Sequence, residues 1–201
     1  MKYIECENAV PDSLKVLQRS GSVLLVPTET VYGLVCSWKD DAARARIYEL
    51  KHRSENKPLA AFVASVKDLP PEILPLPDNA RHITEAFCPG PVTLVVPDRN
   101  GSTFGFRIPD HPFILDLLRA YGGALASTSA NLSGKKAALS VPEALGSIAG
   151  EVDLAVDGGV LKADSLASTV IRIFEDSSWK ILREGPVTAE MIEKVCTSGG
   201  E

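Results

Sequence analysis

The chain has 201 residues, 45% of them hydrophobic and 23% charged, with a formal charge of −5. That balance suits one soluble globular domain with a substantial core. It excludes a protein whose whole surface grips nucleic acid, because phosphate neutralisation needs an excess of Lys and Arg.

The start, MKYIECENAVPDSLKV, places charges where a signal peptide would need a continuous apolar stretch. Ser22 to Val26 is a β-branched and Leu run between Gly21 and Pro27, as expected of a buried strand, and Tyr32 to Cys36 is a second candidate. Asp40 is a plausible N-cap for a helix that puts Ala43, Ile47 and Leu50 at helical spacing and stops near Lys51 to Ser54, ahead of Pro58. Leu59 to Val63 reads as a strand. A proline-rich connection leads to a helix around Ala80 to Phe87, then to the proline-fenced strand in PGPVTLVVP, with a further strand at Phe104 to Ile108. The next helix starts with Pro112 in its first turn and carries Ile114, Leu117 and Leu118 inward. Ala124 to Ser127 is a short strand. Beyond it come a helix near Pro142 to Ile148, strands at Asp153 to Val156, Thr169 to Phe174 and Trp179 to Leu182, and a helix from Thr188 to about Val195.

This mixed order favours an α/β or α+β fold, a single domain over residues 1–201 with a twisted open mixed sheet flanked by helices. No run approaches the ~18 apolar residues of a membrane-spanning helix. Cys6, Cys36, Cys88 and Cys196 are scattered without a CxxC, which fits a reducing compartment rather than a disulfide or zinc framework. A cytoplasmic address with no membrane partner is expected.

Four polar segments stand among the apolar runs: PTETVYGL, KHRSENKPL, FRIPDHP and STSANLSG. They offer hydroxyls, amides and cations but no obvious nucleophile or metal-ligand cluster, so the chemistry they suit is positioning and charge stabilisation. In extended chain Lys51 and Arg53 face the same side and, backed by Lys57, would clamp a polyphosphate; a basic helix C-terminus facing the macrodipole is the competing explanation. Ser127, Ser129 and Asn131 share a two-residue period that would aim three polar side chains at one ligand, against the alternative of a polar turn. Thr28, Glu29 and Thr30 could hold an ammonium or a magnesium-bound water, or form an ordinary loop. Arg107, on a strand, suits a carboxylate ligand or a surface ion pair. The P-loop, GxGxxG, HExxH and GxSxG patterns are all missing.

The order PTETVYGL, KxR with a following KPL, PGPVTLVV, RIPDHP, STSANLSG, ASTV (Ala167 to Val170) and LREG (Leu182 to Gly185) resembles the YrdC/TsaC family of threonylcarbamoyl-AMP synthases over a core of about residues 21–185. The resemblance implies a twisted-sheet domain with a positively charged concave cleft. It implies that L-threonine, bicarbonate and ATP, with Mg²⁺ carried by the ATP phosphates, yield threonylcarbamoyl-AMP and pyrophosphate. The product would pass to partner proteins that modify tRNA beside the anticodon. By the same match Lys51, Arg53, Ser129 and Asn131 hold the nucleotide phosphates, and Lys57, Ser127 and Arg183 complete the ATP pocket. Thr28, Arg107 and Ser168 belong to the threonine pocket. Ser54 and Phe62 depart from the family pattern. Two rivals remain: a tRNA- or double-stranded-RNA-binding module using the basic window from Arg44 to Lys57, and a carbamoyl-adenylate enzyme with another acceptor.

Overall fold

Prolines and glycines divide the chain into short elements, and the computed structural model, which describes residues 2–54 and 56–198, shows ten strands and six α-helices among them. The strands are β1 (Lys2–Glu5), β2 (Leu24–Val26), β3 (Gly33–Ser37), β4 (Ala60–Phe62), β5 (Val92–Pro97), β6 (Thr103–Arg107), β7 (Leu125–Ser129), β8 (Leu154–Asp157), β9 (Thr169–Ile173) and β10 (Trp179–Arg183). The helices are α1 (Ala9–Leu17), α2 (Asp41–Lys51), α3 (Asp78–Phe87), α4 (Pro112–Tyr121), α5 (Val141–Gly146) and α6 (Ala189–Ser198). One mixed sheet takes all ten strands in the order β1, β8, β2, β3, β7, β4, β6, β5, β9, β10. Parallel neighbours occur at β1/β8, β8/β2, β4/β6 and β5/β9, and the rest are antiparallel.

Sequence patterning assigns no element to residues 2–17, where the structure has β1 and α1. The four residues KYIE become a strand by parallel pairing with β8, Tyr3 opposite Ala155 and Ile4 opposite Val156, which local pattern cannot show. Pro11 falls in the first turn of α1, where a missing N–H is tolerated.

Cross-strand register decides what each face does. Cys36, Ala126, Ala61, Phe106, Leu94 and Ile171 follow one another across neighbouring strands on one face. All are buried, packed in cores that include Ile47 of α2, Ile83 of α3 and Ile192 of α6. On the other face α1 and α4 cover Leu24, Val26 and Leu125. The neighbouring part of that second face, over β7, β4, β6 and β5, holds a cleft instead.

The end of α2 corrects an expectation. Lys51 and Arg53 are not in extended chain: Lys51 is the last helical residue, and His52 takes the left-handed conformation (φ 45°). The His52 N–H bonds to the Glu49 carbonyl at 3.1 Å and the Arg53 N–H to the Tyr48 carbonyl at 3.0 Å, a Schellman closure that outcompetes extension. Asp40 caps the other end as expected, accepting from the Ala43 N–H at 3.0 Å.

Candidate functional site

Alternation along the strands builds the cleft, which encloses about 210 Å³. Ala60 and Phe62 of β4, Gly105 and Arg107 of β6, Thr93 and Val95 of β5, and Ser127 and Ser129 of β7 line it. Each is the neighbour of a residue packed in the core beneath, so period two separates wall from core. Arg53 closes one side from the loop after α2, and Ser168 with Arg183 closes another.

Three guanidinium groups therefore share one small space. Burial lowers the Arg183 pKa, and repulsion from Arg107 and then Arg53 lowers it further, which puts Arg183 within electrostatic reach of both. Arg53 is likewise pulled down by burial; its Nε donates to the Lys57 carbonyl at 2.9 Å and its Nη2 to the Pro58 carbonyl at 3.0 Å.

Arg107, 5% exposed, is the most elaborately held. Its Nε donates to the Gly90 carbonyl at 3.2 Å, and its Nη2 to Glu29 Oε1 at 2.7 Å and Thr30 Oγ1 at 3.0 Å. The Phe62 ring lies 5.7 Å from the guanidinium carbon. The surface ion pair considered for Arg107 is thus a buried one. Nη1 has no protein acceptor among the described residues.

The Ser168 hydroxyl lies 2.8 Å from Thr93 Oγ1 and accepts from Arg183 Nη2 at 3.0 Å, while Arg183 also donates twice to the Ser168 carbonyl. Gly185 of LREG is required here. A Cβ on it would come within 2.5 Å of the Ala167 carbonyl oxygen and the Thr169 nitrogen, so only glycine lets the strand carrying Arg183 approach Ser168 this closely.

The STSAN segment behaves differently from its period-two pattern. β7 runs through Ser129 and ends there, and Asn131 turns inward, its Nδ2 donating to the Leu132 and Lys135 carbonyls at 2.8 Å each. Lys51 is fully buried behind this loop. Its ammonium donates to the Ser129 and Asn131 carbonyls, and its own carbonyl accepts from the Ser133 N–H at 3.0 Å. Burial, assisted by the Arg53 charge, brings its pKa down to about 8.

Of the ten expected site residues, Arg53, Arg107, Ser127, Ser129, Ser168 and Arg183 line the cleft together. Lys51 and Asn131 brace the loop beneath it, and Lys57 is exposed on the loop after α2. The Thr28 hydroxyl is engaged locally, accepting from the Thr30 and Val31 N–H groups at 3.1 and 3.2 Å and lying 2.7 Å from the Val31 carbonyl. Sequence analysis did not single out Thr93; Phe62, placed on a strand and marked as a departure from the family pattern, lines the cleft. The available signal for Thr93 was a lone hydroxyl inside the apolar strand VTLVV.

The Sua5/YciO/YrdC family model, described as "Telomere recombination", matches residues 16–185. The chain belongs to the Sua5/YciO/YrdC family. It is similar to the threonylcarbamoyl-AMP synthase of Mus musculus, at 42% identity over 83% of this chain and 64% of that protein. It is also similar to that of Bacillus subtilis, at 35% identity over 89% and 54%. P. abyssi Sua5 in complex with L-threonine superposes with a TM-score of 0.83 at 30% identity, covering 96% of this chain and 60% of that one. The chain thus spans between about half and two thirds of the length of these relatives.

Proposed function

We propose that this chain is an L-threonylcarbamoyladenylate synthase, a nucleotidyltransferase that joins L-threonine, bicarbonate and ATP. The observation that carries the reading is the convergence of Arg53, Arg107 and Arg183 with Ser127, Ser129 and Ser168 on one cleft, in a chain whose family relatives bear that name.

The chemistry asks the protein for position and charge, not for a nucleophile. The threonine amine and bicarbonate condense to a carbamate and water. A carbamate oxygen then attacks the α-phosphorus of ATP, and pyrophosphate leaves. The free Nη1 of Arg107 suits the threonine carboxylate, and Arg53 and Arg183 suit the phosphates, whose charge would relieve the repulsion among the three arginines. The Ser127 hydroxyl donates to the Ala60 carbonyl at 2.9 Å and the Ser129 hydroxyl to Asn131 Oδ1, so each would turn from that acceptor to reach a phosphate oxygen. Lys51 acts from behind, holding the Ser129 to Asn131 backbone and adding positive charge. Mg²⁺ would enter on the ATP phosphates; among the described residues no group of three His, Cys, Asp or Glu side chains is placed to hold an ion.

The product would be consumed by proteins that transfer the threonylcarbamoyl group to adenosine beside the anticodon of tRNA, and the reading places the chain in the cytoplasm. Among the described residues, no helix is long and apolar enough to cross a membrane. The rival RNA-binding role relies on the window from Arg44 to Lys57, but four of its cations have protein acceptors. Arg44 bonds to Asp41 and the Trp38 carbonyl, Arg46 to Asp153, Arg53 to its own loop, and Lys51 to the STSAN loop.

The test is incubation with ATP, Mg²⁺, L-threonine and bicarbonate, each omitted in turn, with mass spectrometry for threonylcarbamoyl-AMP and an assay for pyrophosphate. Product that requires all three substrates is expected. Pyrophosphate release without threonine, or RNA binding without ATP turnover, would overturn the reading.

A further inference from the structure

The hydroxyl of Thr28 is occupied by its own loop, but the residue beside it is not fully partnered. Glu29 gives Oε1 to Arg107 at 2.7 Å, whereas its Oε2 is buried and has no hydrogen-bond partner among the described residues. A buried carboxylate oxygen without a donor carries a desolvation penalty that native structures rarely leave unanswered. The side chain is 19% exposed where its partner Arg107 is 6% exposed, but Oε2 itself is covered, so a ligand bonding it would displace the groups packed over that oxygen.

One buried ion pair thus leaves a guanidinium nitrogen and a carboxylate oxygen without a hydrogen-bond partner among the described residues. The ligand complementary to such a pair carries a carboxylate and a nitrogen donor on adjacent positions. An α-amino acid is that ligand. We infer that Glu29 accepts a hydrogen bond from the α-amino group of the amino-acid substrate while Arg107 takes its carboxylate. This rests on the amino-acid-dependent reading above and adds the residue that reads the nitrogen. The contact outlasts the first chemical step, because the nitrogen of a carbamate keeps one N–H.

A competing donor exists within the protein. His111 Nδ1 is also buried and unpartnered, and the Glu29 charge acts on His111, but the two are not hydrogen-bonded. If His111 turned to satisfy Oε2 in solution, Glu29 would serve only to hold Arg107.

Binding without ATP separates these cases. L-threonine and (R)-3-hydroxybutanoate, which keeps the carboxylate and hydroxyl but lacks the amino group, are titrated calorimetrically into the wild-type chain and into Glu29→Gln. The wild type should prefer threonine by about 10- to 100-fold, the range of one hydrogen bond to a charged group. Glu29→Gln should lose most of that preference while binding the analogue nearly unchanged, since glutamine keeps an acceptor for Arg107. Equal weakening of both ligands, or a wild type that does not discriminate, overturns the inference. If thermal melting shows Glu29→Gln unfolded, Glu29→Asp replaces it, keeping the charge but withdrawing it by one methylene; an undiminished preference for threonine in that variant overturns the inference too. A chain that discriminates in this way yet makes no threonylcarbamoyl-AMP removes the synthase reading alone. A productive synthase whose selectivity ignores Glu29 removes this inference alone.

Discussion

Lys51 and Arg107 are both buried cations, one behind the STSAN loop and one in the cleft wall, and they are held in opposite ways. Arg107 has a carboxylate partner, Glu29, and a hydroxyl from Thr30, so its charge is compensated inside the fold. Lys51 has only two neutral carbonyls as acceptors, from Ser129 and Asn131, and burial brings its pKa down to about 8. The Arg107 wall is built in advance of any ligand. Lys51, behind the loop, keeps an uncompensated charge that an anionic ligand in the neighbouring cleft would stabilise, whereas a structural ion pair carries its own compensation.

The largest break in this comparison should come from Arg107→Leu. It leaves Glu29 buried without its counter-ion, and removing one partner of such a pair costs about 3–5 kcal/mol. Urea denaturation should show that loss, with threonine binding abolished; a stability within about 1 kcal/mol of wild type would mean that Glu29 finds another partner easily. Lys51→Met should cost less, about 1–3 kcal/mol, because it orphans two carbonyls but removes an unpaired charge. Its sharper signature is a fall in kcat/KM for ATP with threonine affinity little changed.

The same lysine gives a pH dependence. Below about pH 8 the ammonium is protonated in folded and unfolded chains alike, and the fold bears the full burial penalty. Between about 8 and the ordinary value of 10.5 the folded protein releases the proton that the unfolded chain still holds. Stability contributed by this group therefore rises with pH across that window, by up to about 1.4 kcal/mol per unit, while affinity for an anionic nucleotide falls. At pH 7 to 10 the stability difference between wild type and Lys51→Met, and the wild-type ATP affinity, should show these trends; the difference is read because the buried Cys36 and Cys88 thiols, raised to about 12 and about 11, lower stability at the upper end in both proteins. The smallest effect belongs to Arg183→Lys. It keeps the charge but loses the forked contact with the Ser168 carbonyl, for about 1 kcal/mol or less and a several-fold rise in KM for ATP; an unchanged KM would place Arg183 outside the nucleotide pocket.

Nine of the ten strands were legible because each carries a short stretch of apolar or β-branched residues, in several cases fenced by Pro or Gly. The exception, β1, is charged at both ends and owes its conformation to β8, whose paired residues lie 152 positions further along the chain. Helix α2 was legible at its start from Asp40, but its end was not, because the closure at His52 depends on two backbone bonds that compete with extension. In the site, the type of residue was readable and its orientation was not. Ser127 and Ser129 face the cleft as their spacing implies, whereas Asn131 turns back to its own loop once β7 stops at Ser129. Thr93 escaped notice because a lone hydroxyl in a strand becomes meaningful only when Ser168 arrives beside it.

The sequence by itself determined the class of fold, the short anion-suited motifs and their order, since hydrophobic periodicity and turn chemistry act over a few residues. Only the tertiary structure decided which cations meet. Arg53, Arg107 and Arg183 come from three distant segments, and their convergence depends on sheet order and on the close approach that Gly185 permits. Likewise, whether Lys51 and Thr28 face ligand or serve their own loops depends on the nearest acceptor after folding, because a buried polar group bonds to what packing places beside it.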